Sequence, residues 1–279
     1  MPRGLTKPWL EILCPPLVLV RWWSSFAQFQ QRAIARQYRM SALGFFWAAL
    51  VPLVTLGIYA FVFGTVMQSR WDGAVTASGD QVSFSLYMFA GLLVFWLLAQ
   101  SAADSCTAVV GHANLVKKAV FPLEIIPLTI VGAAVFHGAI NTAVLLAAML
   151  YVHGSIPVTV LLFPVVLAPF ILMLAGFSWI LAALGAYFRD LNYVIGLVMT
   201  GVLFLSPVFY SLSRLGPGLQ GLVMLNPVSF IVTQARAVLV EGRAPDWFGL
   251  LLYLAVAWVV ASGGLLFFRR AKRNFADVL

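Results

Sequence analysis

Apolar residues in the 279-residue chain come in long unbroken blocks, not in the short alternations of a sheet protein. Six blocks, residues 45–66, 83–103, 125–152, 157–188, 191–210 and 247–268, approach or exceed the ~20 residues with which a helix crosses a bilayer core. The fourth is longer than a straight crossing needs. It holds Pro164 and Pro169, which a tilted or kinked helix accommodates. Residues 211–246 contain two shorter apolar pieces, 215–225 and 228–240, broken at Asn226-Pro227. Pieces of ~10–14 residues belong more often to interfacial or re-entrant segments than to spans. The region reads as a helical hairpin dipping into the outer leaflet, with an ordinary outer loop as the alternative. The expected fold is an all-α membrane protein with six transmembrane helices and a re-entrant hairpin between spans five and six. Two regions follow: an N-terminal cytoplasmic segment, residues 1–44, and a six-span membrane domain, residues 45–279.

A different period precedes the first span. Arg21, Ser25, Gln28, Arg32, Arg36 and Arg39 recur at three- and four-residue steps and share one face of a helix. Leu19, Trp22, Trp23, Phe26, Phe29, Ala33 and Ile34 take the other side. Aromatic residues opposite an arginine stripe describe a helix lying in the membrane interface, in contact with lipid. The solvated face of a cytoplasmic helix is the other reading. A cleaved signal peptide is disfavoured, because Pro15 and Pro16 interrupt the apolar run before Trp22 and Trp23.

Composition and charge sharpen this picture. Apolar residues make up 62% of the chain and charged ones 9%, against roughly 25% charged in a soluble domain. The net charge of +8 is a topology signal before it is a nucleic-acid signal. With both termini inside, the inner segments hold 13 of the 17 Lys and Arg residues and the outer segments hold Arg70, Arg214, Arg236 and Arg243. The positive-inside rule therefore places both ends in the cytoplasm of a bacterial inner membrane. Cys14 and Cys106 fall on that reducing side, so no disulfide is expected.

Catalytic chemistry finds little to work with. The nine acidic residues lie in loops, span ends or tails, and the three histidines lack zinc-site spacing. His137 and Asn141, four apart on the third span, read first as hydrogen-bonding partners of a neighbouring helix. No G-x-x-x-x-G-K-[ST] occurs, so if ATP drives this protein a second polypeptide brings it. Aromatics are plentiful near the span ends. Tyr59, Phe63, Trp96, Phe204, Phe209 and Tyr210 serve either as lipid-facing bulk or as a channel wall on which sugar rings slide. The loop after the second span carries Asn114, Leu115, Val116, Lys117, Lys118 and Phe121, the pattern of a short basic helix that fits a groove on a cytosolic partner.

Several stretches in order resemble one family. Residues 36–47, from Arg36 through Tyr38, Arg39, Ser41, Leu43 and Gly44 to Trp47, are followed by Pro52-Leu53. Arg189-Asp190, Ser206-Pro207-Val208 with Tyr210, then Asn226-Pro227 with Arg236 complete the set. The chain resembles the permease subunits of ABC-type polysaccharide exporters (ABC type 2 permeases), which carry O-antigen, capsule or teichoic acid. The resemblance implies a homodimer with two cytosolic ABC ATPase subunits that bind ATP and Mg, no cofactor in this chain, and a polyprenyl-linked polysaccharide as cargo. It implies a coupling helix at residues 112–121, with Arg189 and Asp190 on the same ATPase-facing side. The first and fifth spans would line the path, and the outer hairpin would gate it. A permease for a drug or small lipid shares this architecture. A membrane-embedded glycan transferase would need an acidic or metal site that the sequence lacks.

Overall fold

The computed structural model describes residues 8–39, 44–75, 81–116, 122–212 and 215–275, nearly all of them helical. Three short elements open the chain: α1 (Pro8–Leu13), α2 (Pro16–Arg21) and α3 (Trp23–Arg39). The first span is α4 (Phe46–Tyr59), which widens into a π-wound stretch, Ala60–Val66. A small antiparallel pair, β1 (Arg70–Val75) and β2 (Gln81–Ser83), leads into α5 (Phe84–Thr107). After α6 (Ala113–Val116) come α7 (Ile125–His153), α8 (Phe163–Tyr187) and α9 (Leu191–Phe204). The bent pair α10 (Pro217–Met224) and α11 (Pro227–Arg236) precedes α12 (Trp247–Ala271).

Five of these helices are long and apolar enough to cross a membrane: Phe46–Val66, Phe84–Thr107, Ile125–His153, Val158–Tyr187 and Trp247–Asn274. They match five of the six predicted blocks. The fifth block, 191–210, departs from expectation. Its helix α9 has 14 residues, about 21 Å at 1.5 Å per residue, and residues 205–210 form turns. Proline is the reason: Pro207 has no N–H to donate, and it biases Ser206 away from helical geometry. The Ser206 hydroxyl donates to the Val202 carbonyl at 2.6 Å, satisfying one of the acceptors at the helix end.

The predicted re-entrant break sits where Asn226-Pro227 placed it. The segments Gly218–Met224 and Pro227–Glu241 meet at 91°, so the two legs form a right-angled elbow instead of a closed hairpin. Asn226 caps α11 by accepting from the Val228 N–H at 3.1 Å, and Pro227 takes the first helical position.

The N-terminal helix also differs from the continuous stripe read from sequence. It breaks at Trp22, with φ −112° and ψ 23°, which splits α2 from α3. Arg32 is exposed and Phe26 and Phe29 are half-buried, as expected, but Trp23 is 62% exposed. The apolar side of α3 meets protein: Gln30, with its amide oriented to suit, bonds the Thr129 carbonyl and the Ala133 N–H of α7, each at 3.0 Å.

The core centres on α5, the most buried of the five spans, packed against α7, α8 and α11. A second cluster joins α8, α12 and Val18 at the end of the bundle where α12 finishes. Here α8 and α12 approach closely through facing glycines. A Cβ on Gly264 would stand 2.3 Å from the Gly176 carbonyl oxygen, and one on Gly176 2.7 Å from that of Val260. Small residues let helix backbones approach this way in a bilayer, where dispersion has to supply the attraction.

Candidate functional site

The opposite end of the bundle, where the β-pair and the elbow sit, is organised around one cation. Arg236 is 3% exposed at the end of α11, a helix with no other charged residue. Its Nε donates to the Tyr87 carbonyl at 3.0 Å, and its two terminal nitrogens donate to the carbonyls of Pro207 and Val208 at 2.6 and 2.8 Å. The latter two lie beyond the end of α9, where no helix supplies donors, and buried carbonyls require partners. The planar guanidinium also stacks near the rings of Trp71 and Tyr87, 4.6 and 4.4 Å from their centroids. Arginine suits this place because one rigid fork offers five donors and two flat faces. Gly91 leaves it room, since a Cβ there would meet Nη2 at 2.8 Å.

This knot continues outward. The Tyr87 hydroxyl donates to the Glu241 carboxylate, which also accepts from Arg243 Nε at 2.7 Å. On the inner side, Asn226 donates to the Ser206 hydroxyl at 2.9 Å, and Tyr253 of α12 donates to the Pro227 carbonyl at 3.0 Å. Ser206, Pro207, Val208, Asn226, Pro227 and Arg236, read along the chain as an ordered set, thus converge in space. They tie the end of α9 to the elbow and to the first turns of α5.

The predicted channel aromatics fall into two groups that this knot connects. Tyr59 lies 6.2 Å from Phe63, Phe63 lies 5.3 Å from Phe84, and Phe84 lies 5.3 Å from Trp71. Trp71 then meets Tyr87 at 4.7 Å, so a ladder of rings descends from α4 to the guanidinium. On the α9 side, Phe204 and Phe209 are 5.9 Å apart, and the Tyr210 hydroxyl donates to the Phe204 carbonyl at 3.2 Å. Trp96 stays apart, edge-on to Phe89 at 5.4 Å. Trp71 and Glu241 were missed by sequence reasoning. The available signal was Arg236 itself, a lone cation within the apolar run 228–240, whose burial demands partners.

The terminal end holds a second charged constellation. Glu11, 1% exposed, accepts from Arg21 at 2.7 Å and from Arg269. Glu124 accepts from Arg269 Nε at 3.3 Å and from Lys272. Its backbone carbonyl accepts from Trp179 at 3.0 Å. Arg21, expected on the polar face of an interfacial helix, is a partly exposed ion-pair partner of Glu11 and lies 5.3 Å from the Trp22 ring. Burial alone would push the Glu11 carboxyl up, but hydrogen bonds and charge from Arg21 and Arg269 outweigh it and hold the group below its ordinary value.

Of the predicted coupling residues, Asn114, Leu115 and Val116 form α6, and Arg189 and Asp190 are exposed in the turn between α8 and α9. Lys117, Lys118 and Phe121 lie outside the described residues, as do the side chains of Arg36 and Arg39. The segment containing α6 runs into Glu124, and so into the ion cluster. Among the described residues no three His, Cys, Asp or Glu side chains are grouped to hold a metal.

Comparison with known proteins decides what this architecture is. A match to the family described as ABC-2 type transporter extends over residues 24–240. The chain belongs to this family. The matched region runs from α3 through the elbow and takes in Arg236. ABC-2 permeases are multi-pass inner-membrane transport subunits, consistent with a chain of apolar helices. This permease is 28% identical over 250 residues to the O-antigen export system permease protein RfbA of Myxococcus xanthus, covering 88% of this chain and 92% of the relative. A protein of the same name from Klebsiella pneumoniae is 25% identical over 245 residues, covering 87% and 90%. The inner membrane transport permease YadH of Escherichia coli (strain K12) is 28% identical over 238 residues, covering 80% and 88%.

Proposed function

We propose that this ABC-2 permease is the membrane half of an ATP-driven exporter of lipid-linked polysaccharide, of O-antigen or capsule type. It works as a homodimer with two cytosolic ATPase subunits, which bind the ATP and Mg, and both its termini are cytoplasmic. The observation that carries the reading is the pair of helices left uncovered. No residue of α9 is buried, with Tyr193 80% and Leu197 76% exposed, and the α4 span is nearly as bare. In this reading they face each other across the homodimer, around a path walled by Tyr59, Phe63, Phe204, Phe209 and Tyr210. Similarity over most of both chains to proteins named for O-antigen export supports the cargo. On the cytoplasmic side, residues 112–121 with Arg189 and Asp190 receive the ATPase, and α3 lies along the inner leaflet.

The wall predicts a specific defect. Aromatic faces cover the apolar faces of sugar rings through many weak contacts, each ~1 kcal/mol by analogy with aromatic pairs. Replacing Tyr59, Phe204 and Phe209 together with Leu keeps apolar bulk and removes the flat faces. In cells lacking their own permease, the parent chain with its ATPase should restore surface polysaccharide, and the Leu variant at equal protein level should restore several-fold less. Equal restoration would remove the wall, and no restoration by the parent would remove the exporter.

A further inference from the structure

The helix α5, otherwise enclosed, keeps one stripe open. Trp96, Ala99, Gln100, Ala103, Asp104 and Thr107 are half-buried or exposed, while the residues between them are all buried. The buried side is covered by α7 and α8: Leu97 packs on Gly138, and Gly185 leaves room for the Cys106 carbonyl. On one flank, α9 shares a cavity of about 210 Å³ with Leu98 and Ala102 of α5. The open stripe therefore runs alongside α9, a helix with no buried residue in the monomer.

Polar chemistry collects along its edge. The Gln100 amide is 3.0 Å from His137 Nδ1 on α7, and Asp104 stands one turn further along α5. One turn along α7 from His137, Asn141 is half-buried, and its amide has no hydrogen-bond partner among the described residues. Trp96 stands one turn from Gln100 on α5. A helix-pairing role is served by the Gln100–His137 bond alone. It leaves unexplained the exposed Asp104 carboxylate at the end of α5 and the idle Asn141 amide within the α7 span, where polar groups are costly and mark pathways. A carboxylate, two amides and an imidazole offer both donors and acceptors, as vicinal hydroxyls require. The nearby indole offers a face for the apolar side of a ring. An acyl chain could use none of the polar groups, and a phosphate would be repelled by Asp104.

We infer that Gln100, Asp104, His137 and Asn141, with Trp96, form a carbohydrate-contacting subsite on the wall of the path, engaging the hydroxyls of passing sugar residues. This rests on the exporter reading above and adds to it a polar contact that the aromatic wall does not supply. The subsite is shallow and shared with water, so it guides a polymer without holding it.

The test uses the purified complex of this chain with its ATPase in lipid nanodiscs. ATP turnover is titrated with polyprenyl-linked glycan extracted from the source cells. Asn141→Ala should raise the glycan concentration for half-maximal stimulation roughly fivefold, and Asp104→Asn about tenfold, the factors expected for loss of a neutral and a charge-assisted hydrogen bond. The maximum should stay, and His137→Gln, which preserves a donor and an acceptor, should recover much of what His137→Ala loses. Unshifted half-saturation in the Asp104 and Asn141 variants would overturn the subsite while leaving the exporter reading intact. A fall in maximum and in melting temperature together would mark these residues as packing groups and also overturn it. If an imposed proton gradient changes turnover in the parent but not in Asp104→Asn, with half-saturation unmoved, the cluster moves protons instead of contacting sugar. A parent complex that the glycan does not stimulate would defeat the exporter reading and the subsite together.

Discussion

Arg236 gives the clearest residue-scale expectation. Truncating it leaves buried carbonyls at Pro207 and Val208 without donors and empties the space between Trp71 and Tyr87. Arg236→Ala should destabilise the protein by about 3–5 kcal/mol, the range seen when a buried, hydrogen-bonded charge is lost from its partners. Arg236→Lys keeps the charge but cannot reach three carbonyls and stack at once, so its loss should be intermediate. Thermal melting in detergent orders the three proteins, and parental melting of the Ala variant would dismiss the knot as a stabilising feature. Glu11 makes a pH-dependent expectation. Its folded-state value is depressed below the ordinary 4.5, so its contribution is present above that value and is lost as pH falls through the lower, folded one. Glu11→Gln should therefore melt below the parent at pH 7, and the gap should close as pH drops under about 4.5. A gap that persists in acid would show that the ion pairs are not its source.

Among elements, the α8–α12 pair offers a test with an internal control. Gly263 has open space where its Cβ would go, while the Cβ of its neighbour Gly264 would collide with the Gly176 backbone. Gly263→Ala should be neutral or slightly stabilising, because alanine favours helix. Gly264→Ala should cost about 1–3 kcal/mol, as overpacking of a close contact does, visible as a lower melting temperature. Equal behaviour of the two would mean that this approach is not tight. The elbow and α9 show a different lesson at this scale. Periodicity and hydropathy located both, and Asn226-Pro227 marked the bend, but a continuous apolar run to Tyr210 concealed the end of α9. There a turn built on Pro207 and held by Arg236 overrides local helix preference.

At the scale of the molecule, the described structure brings Glu11 and Arg269 together, so the first and last described helices meet at one end of the bundle, with the β-pair at the other. Combined with the charge asymmetry, this predicts that a cysteine placed at the exposed Gln81 reacts with an impermeant reagent in intact cells, whereas one at the exposed Asn274 does not. Labelling at position 274 would reverse or break the proposed topology.

Sequence alone determined the solvent of this protein, its all-α membrane fold, the elbow and the resemblance that the family match bears out. Those properties follow from block length, charge placement and proline position, which act locally and leave a linear trace. Tertiary structure decided which polar residues meet. Arg21 paired with the buried Glu11, the channel aromatics divided into two groups, and Arg236 joined residues from β1, α5 and the turn after α9. Hydropathy registers a buried cation only as a local blemish. The carbonyls that make its burial tolerable lie 28 to 149 residues away along the chain, and only folding reveals them.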